Sequence, residues 1–251
     1  MATAEHTVKA FDLDLMELTR MIAEMGGHAE KQIVEAVAAL SKRDRRHGER
    51  VVSGDAALDL RQREIEQKAI AIIATRQPMA VDLRAIIGVL RIANDLERIG
   101  DLAKNIAKRV MVLDGAAMPR QSLRGVDHMT ALTLRQLRDV LDSFAEKASK
   151  KAIAVWNRDQ EIDSVYTSLF RELLVHMMED PAMIAHGIHL LFCAKNIERM
   201  GDHATNIAEA VCYMVEGRSF TERPKADGTS VMTVPFDGGS RDRLCAKEPI
   251  T

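Results

Sequence analysis

An internal repeat constrains the fold of this chain more than any other feature of its sequence. Residues 90–110 align without gaps with residues 191–211, an offset of 101 (191 minus 90), and about half of the aligned positions are identical. A second and weaker register has an offset of 104 (159 minus 55) and aligns the acidic segment 55–59 with 159–163. Self-similarity at a fixed spacing indicates a duplicated structural unit, so we expect two similar halves.

Hydrophobic residues recur every three or four positions along six segments, which predicts six amphipathic helices. These segments are 15–40, 51–74 and 79–113 in the first half, and 123–144, 148–178 and 184–215 in the second. Pro78, Pro119 and Pro181 fall between them, where a helix has to end. Isolated helices gain little stability from propensity alone, so each set of three is predicted to bury its apolar faces as an antiparallel bundle.

The sequence therefore predicts an all-α protein made of two tandem, pseudo-symmetric three-helix bundles. The predicted limits are residues 1–114 for the first bundle and 120–217 for the second, with a linker from Asp114 to Arg120. Residues 218–251 contain Gly, Ser, Thr, Pro and mixed charge without a period. We expect a disordered or loosely docked tail there.

Charge and hydropathy exclude several classes of protein. The formal net charge is -2, so no bulk basic field exists to hold a nucleic acid. The longest stretch without an acidic or basic side chain, 181–194, is shorter than the roughly 18 residues that a membrane-spanning helix needs. The first 15 residues contain no apolar region typical of a secretory signal, and the three cysteines form no CxxC pair. We expect a cytoplasmic protein with reduced thiols, without membrane insertion or nucleic-acid binding.

Both copies of the repeat contain the pattern Glu-Arg-x-Gly-Asp-x-Ala-x-Asn-Ile-Ala, which begins at Glu97 and again at Glu198. Acidic residues four positions apart, such as Glu97 and Asp101 or Glu198 and Asp202, stack on one face of a helix. On a helical wheel this face lies nearly opposite the apolar stripe, which predicts that it points away from the core. Two neighbouring carboxylates repel each other unless a cation lies between them, and that cation is either a metal ion or an arginine.

Two interpretations of these acids remain open from the residues alone. Carboxylates are hard oxygen ligands that suit Mg, Ca, Mn or Fe, so each bundle could hold a metal site. Those sites would use Glu97, Asp101, Asp55 and Asp59 in the first bundle, and Glu198, Asp202, Asp159 and Asp163 in the second. The alternative is a solvated face, or salt bridges to nearby arginines: Arg98, Arg199, Arg84 and Arg91.

The remaining signals concern packing and catalysis. Gly100 and Gly201 occupy equivalent mid-helix positions, where glycine costs about 1 kcal/mol relative to alanine, and this indicates close approach of another helix. His203 aligns with Leu102, so the repeat does not require imidazole, and we expect its histidines on the surface or at a bundle edge. The chain contains no Gly-rich phosphate loop, no HExxH and no GxSxG, so we expect no enzymatic activity.

Four segments of the chain resemble the PhoU family, the regulators attached to phosphate-specific transport in bacteria. They are 76–84, 95–101, 179–181 and 197–209, and the resemblance covers roughly residues 10–217. It implies a pair of three-helix bundles without catalytic activity that damp the phosphate-starvation response when phosphate is plentiful. Such proteins are implied to link the phosphate ABC transporter, through its ATPase subunit, to the membrane sensor histidine kinase, and a homodimer is the favoured assembly.

The resemblance also implies metal ligands, because family members can carry iron or zinc clusters on Glu/Asp-x-x-x-Asp motifs. Carried over to this chain, the ligands are Glu97, Asp101, Glu198 and Asp202, with Asp55, Asp59, Asp159 and Asp163 as further candidates. These further motifs begin with Asp instead of Glu, and the shorter side chain can alter metal occupancy. The leading hypothesis is a negative regulator of the phosphate regulon that modulates phosphate uptake. The alternatives are a metal buffer or carboxylate-bridged metalloenzyme, and a structural adaptor whose acids bind arginines of a partner.

Overall fold

In the computed structural model, which describes residues 2–113 and 120–218, the regular structure is entirely helical. The helices of the described residues are α1 (Ala2–Lys42), α2 (Arg45–Gly54), α3 (Ala56–Arg76), α4 (Val81–Val112), α5 (Arg120–Ala145), α6 (Ser149–Asn157), α7 (Asp159–Glu179) and α8 (Ile184–Glu216). A 3₁₀ turn, Pro181–Met183, precedes α8. The predicted linker up to residue 119, and the predicted tail from residue 219 onward, lie outside the described residues. None of the described helices is long and apolar enough to cross a membrane.

The second predicted helix of each half is divided into two collinear pieces, α2 with α3 and α6 with α7. In the first half this helical rod begins earlier than the apolar pattern indicated, at Arg45, because the Asp44 side chain accepts a hydrogen bond (2.9 Å) from the His47 amide and caps α2. The rod ends at Arg76. Gln77 takes a left-handed conformation (φ 49°), and its backbone N–H donates to the Ile73 carbonyl at 3.1 Å. A side-chain cap at one end and a left-handed backbone turn at the other therefore fix boundaries that hydrophobic periodicity does not record.

Each half packs as the predicted bundle of three helical rods. In the first half α1 packs on α4 and on the rod formed by α2 and α3; in the second, α5 and the rod formed by α6 and α7 pack on α8. The apolar stripe predicted for the first helix is confirmed, since Leu18, Ile22, Met25 and Ile33 are fully buried. The two three-helix bundles and the all-α fold are thus as the sequence predicts.

The halves also pack against each other through two antiparallel helix pairs, α1 with α5 and α4 with α8. In the first pair the Arg138 guanidinium donates to the Glu30 carboxylate at 2.6 Å. In the second, Arg91 near the start of α4 lies 4.7 Å from the ring centre of Tyr213 near the end of α8. One continuous hydrophobic cluster therefore includes side chains of both halves, and the domain limits at residues 114 and 120 stay a prediction.

Candidate functional site: two carboxylate clusters

The first carboxylate cluster consists of Asp55, Asp59, Glu97 and Asp101. Asp55 lies between α2 and α3, Asp59 in the first turn of α3, and the other two on α4. The expectation that these acids point away from the core is wrong in part, since the rod of α2 and α3 covers that side of α4. The side chains of Asp55, Glu97 and Asp101 are 6%, 17% and 31% exposed.

A lysine that the sequence analysis did not single out offsets part of the negative charge of this cluster. The Lys104 Nζ donates hydrogen bonds to Oδ2 of Asp55 and to Oδ1 of Asp101 and forms salt bridges with both. Burial opposes the charge of the ammonium, but the hydrogen bonds to Asp101 and Asp55 outweigh it and raise the pKa of Lys104. The ammonium therefore stays charged and links α4 to the α2–α3 junction.

The arginines predicted as counterions behave differently from one another. Arg98 lies 3.6 Å from Glu97 and 3.9 Å from Asp101, with its own side chain 57% exposed, where an ion pair contributes little. Arg91 stacks on the ring of Tyr213 instead. The predicted salt bridges to arginine are therefore observed at Arg98, and the more buried cation is a lysine.

A buried glutamine of α1 completes the first cluster. Gln32 is 8% exposed and its Nε2 donates to Oδ1 of Asp55 at 3.0 Å. A Cβ on Gly100 would lie 2.8 Å from Oε1 of Gln32 and 2.2 Å from Cδ2 of Leu58. The absence of a side chain at Gly100 thus lets α1 and α3 pack closely on α4, as the sequence predicts for this glycine. Burial, together with repulsion from Asp101, raises the pKa of Glu97.

The second carboxylate cluster consists of Asp159, Asp163, Glu198 and Asp202. The first two lie near the start of α7, and the other two on α8. The position equivalent to Lys104 is Thr205 (104 plus 101), whose hydroxyl lies 3.0 Å from Oδ1 of Asp159. A neutral hydroxyl thus stands where the first cluster has an ammonium.

The amide of Gln136 on α5 occupies the place that Gln32 has in the first half (32 plus 104). It is 5% exposed, and its Nε2 donates to Oγ1 of Thr205 at 3.2 Å. A Cβ on Gly201 would approach Cδ1 of Ile162 at 2.8 Å and Oε1 of Gln136 at 3.5 Å. Close packing at this second glycine is therefore confirmed as well, although it is less tight than at the first.

Glu198, one of the acids predicted on α8, is largely buried. Its side chain is 12% exposed, and its Oε1 accepts a hydrogen bond from Lys195 Nζ at 2.7 Å. Its Oε2 is buried without a hydrogen-bond partner. Burial raises the pKa of Glu198, the hydrogen bond from Lys195 opposes this, and the charges of Asp202 and Asp163 add to the rise. The second cluster thus contains a buried carboxylate oxygen that has no donor.

The structure brings all eight predicted site residues together as two clusters, but it does not preform a metal site. As the side chains are placed, the described residues contain no group of three or more His, Cys, Asp or Glu that could hold a metal ion. In the first cluster the Lys104 ammonium lies against Asp55 and Asp101, where a bridging ion would bind. In the second, the donors are carboxylate oxygens, which suit hard cations. Metal occupancy stays a prediction.

The interface between α4 and α8 contains a polar contact that the repeat does not duplicate. His203 Nδ1 lies 2.9 Å from Oδ1 of Asp95, which also accepts from Asn206 Nδ2 at 3.4 Å. Asp95 is 9% exposed and His203, by its side chain, 18%. The equivalent positions, by the offset of 101, are Asn196 and Leu102. This histidine is at a bundle edge, as expected, and joins the two halves.

The cysteines that the structure describes are buried thiols. Burial raises the pKa of Cys193 to about 12 and that of Cys212 to about 11, so both stay protonated and unreactive near neutral pH. Cys245 lies outside the described residues.

Sequence reasoning missed the polar side chains that complete the two clusters: Lys104, Thr205, Gln32 and Gln136. The signal for the glutamines was present, because they align at the same offset of 104 that aligns Asp55 with Asp159. Lys104 lies three residues after Asp101, close enough on the helix surface to pair with it, so this spacing was also a signal. The repeat drew attention to identical positions, whereas Lys104 and Thr205 differ.

Comparisons with known proteins agree with this duplicated architecture. The profile of the PhoU domain matches the chain twice, over residues 22–110 and 126–211. A phosphate-specific transport system accessory protein PhoU homolog of Rhizobium meliloti (strain 1021) is 54% identical over 228 residues, which is 90% of this chain and 96% of that protein. A protein of the same description from Caulobacter vibrioides (strain NA1000 / CB15N) is 48% identical and spans 89% of this chain and 97% of its own length.

Two crystal structures are similar to this fold. PhoU from Pseudomonas aeruginosa superposes with a TM-score of 0.78 at 35% identity and covers 83% of this chain and all of its own. The phosphate transport system regulatory protein PhoU from Streptococcus pneumoniae gives a TM-score of 0.78 at 30% identity, with 84% of this chain covered and all of its own. The similarity thus extends over both halves of the chain.

Proposed function

The chain belongs to the PhoU family, and on that premise we propose that it is a cytoplasmic negative regulator of the phosphate-starvation regulon that modulates phosphate uptake. The observation that carries this proposal is the match of both halves to the PhoU domain. The similarity also spans nearly the whole length of relatives that are described as phosphate-specific transport system accessory proteins. The proposal is for a regulator without catalytic activity, in keeping with a sequence that has no nucleotide-binding loop and no HExxH or GxSxG motif.

The proposed mechanism is that of an adaptor between the ATPase subunit of the phosphate ABC transporter and the membrane sensor histidine kinase. Exposed apolar side chains support this mechanism. They lie at the turn between α3 and α4 in the first half and at the turn between α7 and α8 in the second, and we call these two turns the hairpin ends. Met79 and Val81, at the start of α4, are 80% and 58% exposed, and Met178 and Ile184, next to the equivalent turn before α8, are 83% and 45% exposed. Exposed large hydrophobic groups are typical of interaction sites. A duplicated pair of such ends suits a protein that contacts two partners, or a partner and a second copy in a homodimer.

A metal ion is a further part of the proposal, with the second cluster as its site. Glu198, Asp202, Asp159 and Asp163 would hold an ion that cross-links α7 to α8. Their oxygen donors suit iron or manganese better than zinc, which prefers nitrogen and sulfur ligands. The buried, partnerless Oε2 of Glu198 supports this assignment and also favours the second candidate function, a metal buffer. The first cluster does not fit an ion in the same way, because Lys104 engages Asp55 and Asp101.

The regulatory proposal is tested by deleting the gene in its host and measuring alkaline phosphatase, a reporter of the phosphate regulon, in phosphate-rich medium. We expect derepression in the deletion strain and restoration of repression by the wild-type gene. Normal repression in the deletion strain would contradict the proposal.

The adaptor mechanism is tested with variants of the hairpin ends. Met79→Asp and Met178→Asp are expected to fold normally but to lose capture of the transporter ATPase or of the kinase in a pull-down with the purified partners. Leu60→Asp is the matched control, since Leu60 is 55% exposed but lies on α3, away from the hairpin turn. Equal binding by all three variants would exclude these ends as the contact surface. Binding that a chelator leaves unchanged and salt weakens would instead indicate contact between the acids and arginines of the partner.

A further inference from the structure

We infer that Lys104 is the resident cation of the first carboxylate cluster and takes the place of a divalent ion there, so that only the second cluster binds such an ion. This inference rests on the metal proposal for the second cluster and adds to it a functional difference between the halves. Equivalent acids of the repeat form both clusters, and the position of Lys104 in the first is that of Thr205 in the second.

The Lys104 ammonium joins two helical elements as a bridging metal ion would. It contacts one oxygen of Asp55, at the α2–α3 junction, and one oxygen of Asp101 on α4. Asp55 is 4% exposed, so water screens this pair less than a surface pair and the attraction is stronger. A divalent ion at the same place would have to displace the ammonium or suffer its repulsion at close range.

The other oxygen of Asp55 is also engaged. Its Oδ1 accepts a hydrogen bond from Nε2 of Gln32 at 3.0 Å. Both oxygens of the most buried acid in the cluster therefore already have a donor, one neutral and one cationic. A metal ion would gain this carboxylate as a ligand only by breaking a contact that the fold already makes.

The second cluster lacks this arrangement at the equivalent position. Thr205 approaches Asp159 with a neutral hydroxyl at 3.0 Å, which adds no positive charge. Lys195, at the edge of the cluster, is 48% exposed by its side chain and bonds to Glu198 within its own helix. It reaches α7 at the ring of Tyr166, where its Nζ lies 5.3 Å from the ring centre. This contact with α7 is with an aromatic ring, whereas Lys104 pairs with a buried carboxylate at the α2–α3 junction.

Two buried oxygens of the second half have no hydrogen-bond donor among the described residues: Oε2 of Glu198 and Oε1 of Gln136. Oε1 of Gln32 in the first half is also without a donor, so the carboxylate oxygen of Glu198, and not the glutamine, distinguishes the second cluster. Gln136 is 5% exposed, and its amide contacts Thr205, which in turn contacts Asp159. A buried acceptor without a donor is costly, and a hard cation satisfies such oxygens. Oxygen acceptors from α5 and α8, beside the acids of α7, are therefore available to an added cation.

Titration with Mn²⁺ tests the inference on the full chain after dialysis against a chelator, with bound and free ion counted by electron paramagnetic resonance. We expect about one tightly bound equivalent in the wild type, one more in Lys104→Thr, and none in Thr205→Lys. Lys104→Arg is the matched control, since it retains the cation and should bind as the wild type does. Asp202→Asn should remove the wild-type equivalent, and Asp101→Asn should not.

Two results would overturn the inference: Lys104→Thr binds no more Mn²⁺ than the wild type, or the wild-type equivalent is lost in Asp101→Asn. If circular dichroism shows that Lys104→Thr does not fold, Lys104→Gln is used in its place, because glutamine keeps a hydrogen-bond donor to Asp55 and removes the charge. Thermal unfolding supplies an independent measurement, because added Mn²⁺ should raise the melting temperature of Lys104→Thr or Lys104→Gln by more than that of the wild type or of Lys104→Arg. If the Mn²⁺ titration fails but the wild-type gene restores repression in the deletion strain, the inference about Lys104 is wrong and the regulatory proposal stands. If the titration succeeds but the deletion strain represses normally, the regulatory proposal is wrong and the inference about Lys104 stands.

Discussion

The two halves of this molecule have the same bundle, the same acids and the same mid-helix glycine, yet they stabilise their carboxylates by different means. In the first half an ammonium links Asp55 and Asp101. In the second a hydroxyl approaches Asp159, and one oxygen of Glu198 is buried without a donor. The comparison teaches that a duplicated set of acids does not have a duplicated environment, because the equivalent neighbouring position holds an ammonium at Lys104 and a hydroxyl at Thr205.

The largest expected effect comes from removing the first half's cation. Lys104→Met should lower the free energy of unfolding by about 2 to 4 kcal/mol, because it leaves a buried carboxylate without its charged partner. Thr205→Val, the equivalent change in the second half, removes a hydroxyl donor to Asp159 and should cost about 1.5 kcal/mol, the low end for a hydrogen bond to a charged group. Urea denaturation of both variants in the presence of a chelator measures the difference, and equal losses would remove the distinction between the clusters.

The contact between His203 and Asp95, which the repeat does not duplicate, should have the next largest effect. His203→Leu places the residue of the first half, Leu102, in the second, and leaves Asp95 with the longer hydrogen bond from Asn206. We expect a loss of about 1 to 3 kcal/mol, the cost of depriving a buried acceptor of a donor. His128→Leu serves as the control because that side chain is exposed on α5. A loss of the same size in the control would indicate a general effect of removing histidine.

The two glycines should respond unequally to the same change. Gly100→Ala places a methyl group 2.2 Å from Leu58 and 2.8 Å from Gln32, and we expect a net loss of about 1 to 2 kcal/mol from overpacking. Gly201→Ala meets Ile162 at 2.8 Å and Gln136 only at 3.5 Å. Because alanine also favours the helix by about 1 kcal/mol over glycine, this variant should be nearly neutral. Comparison of the melting temperatures of the two variants tests this prediction. A larger loss of stability in Gly201→Ala would contradict the inference that packing is tighter at Gly100.

The smallest effect concerns the pH dependence of stability. Burial raises the pKa of Glu198 and of Glu97 in the folded chain, so between the unfolded and folded pKa values the native state binds more protons than the unfolded state. Stability from these groups therefore decreases as the pH rises through that window. Glu198→Gln and Glu97→Gln should each flatten the profile of melting temperature against pH above the ordinary pKa of a glutamate. We expect the greater flattening at Glu198, whose Oε2 has no donor; a steeper profile in either variant would contradict the sign.

Hydrophobic periodicity and the internal repeat were sufficient to predict the three rods of each half, because both are properties of the apolar face that the core selects. The same reasoning did not predict that α2 begins at Arg45. Its position depends on the Asp44 cap, and a cap residue contributes nothing to the apolar pattern. The packing of α4 on α8 was likewise not predicted, since a helix with apolar residues on much of its surface does not reveal which partner covers which side.

The candidate site was predicted as a set of acids but not as a set of interactions. Glu97, Asp101 and Asp55 were found because the repeat preserves them, and their clustering follows from a common helical spacing. Lys104 was not found, because its role depends on the rotation of the α2–α3 rod about α4, which no single helix encodes. The wheel argument that pointed the acids outward considered α4 alone, and the neighbouring rod changed the outcome most at Glu97, whose side chain is 17% exposed.

The pairing of α4 with α8 also has a consequence for how the chain folds during synthesis. α8 is the final described helix, and it supplies the side chains that cover one face of α4, among them Met214 against Gly88 and Tyr213 against Arg91. Gly88 and Arg91 on that face therefore emerge from the ribosome 126 residues (214 minus 88) and 122 residues (213 minus 91) before their native partners do. A nascent first half must expose this face, cover it by non-native contacts or bind a chaperone. We therefore expect the chain to be most prone to misfolding and aggregation before α8 is complete.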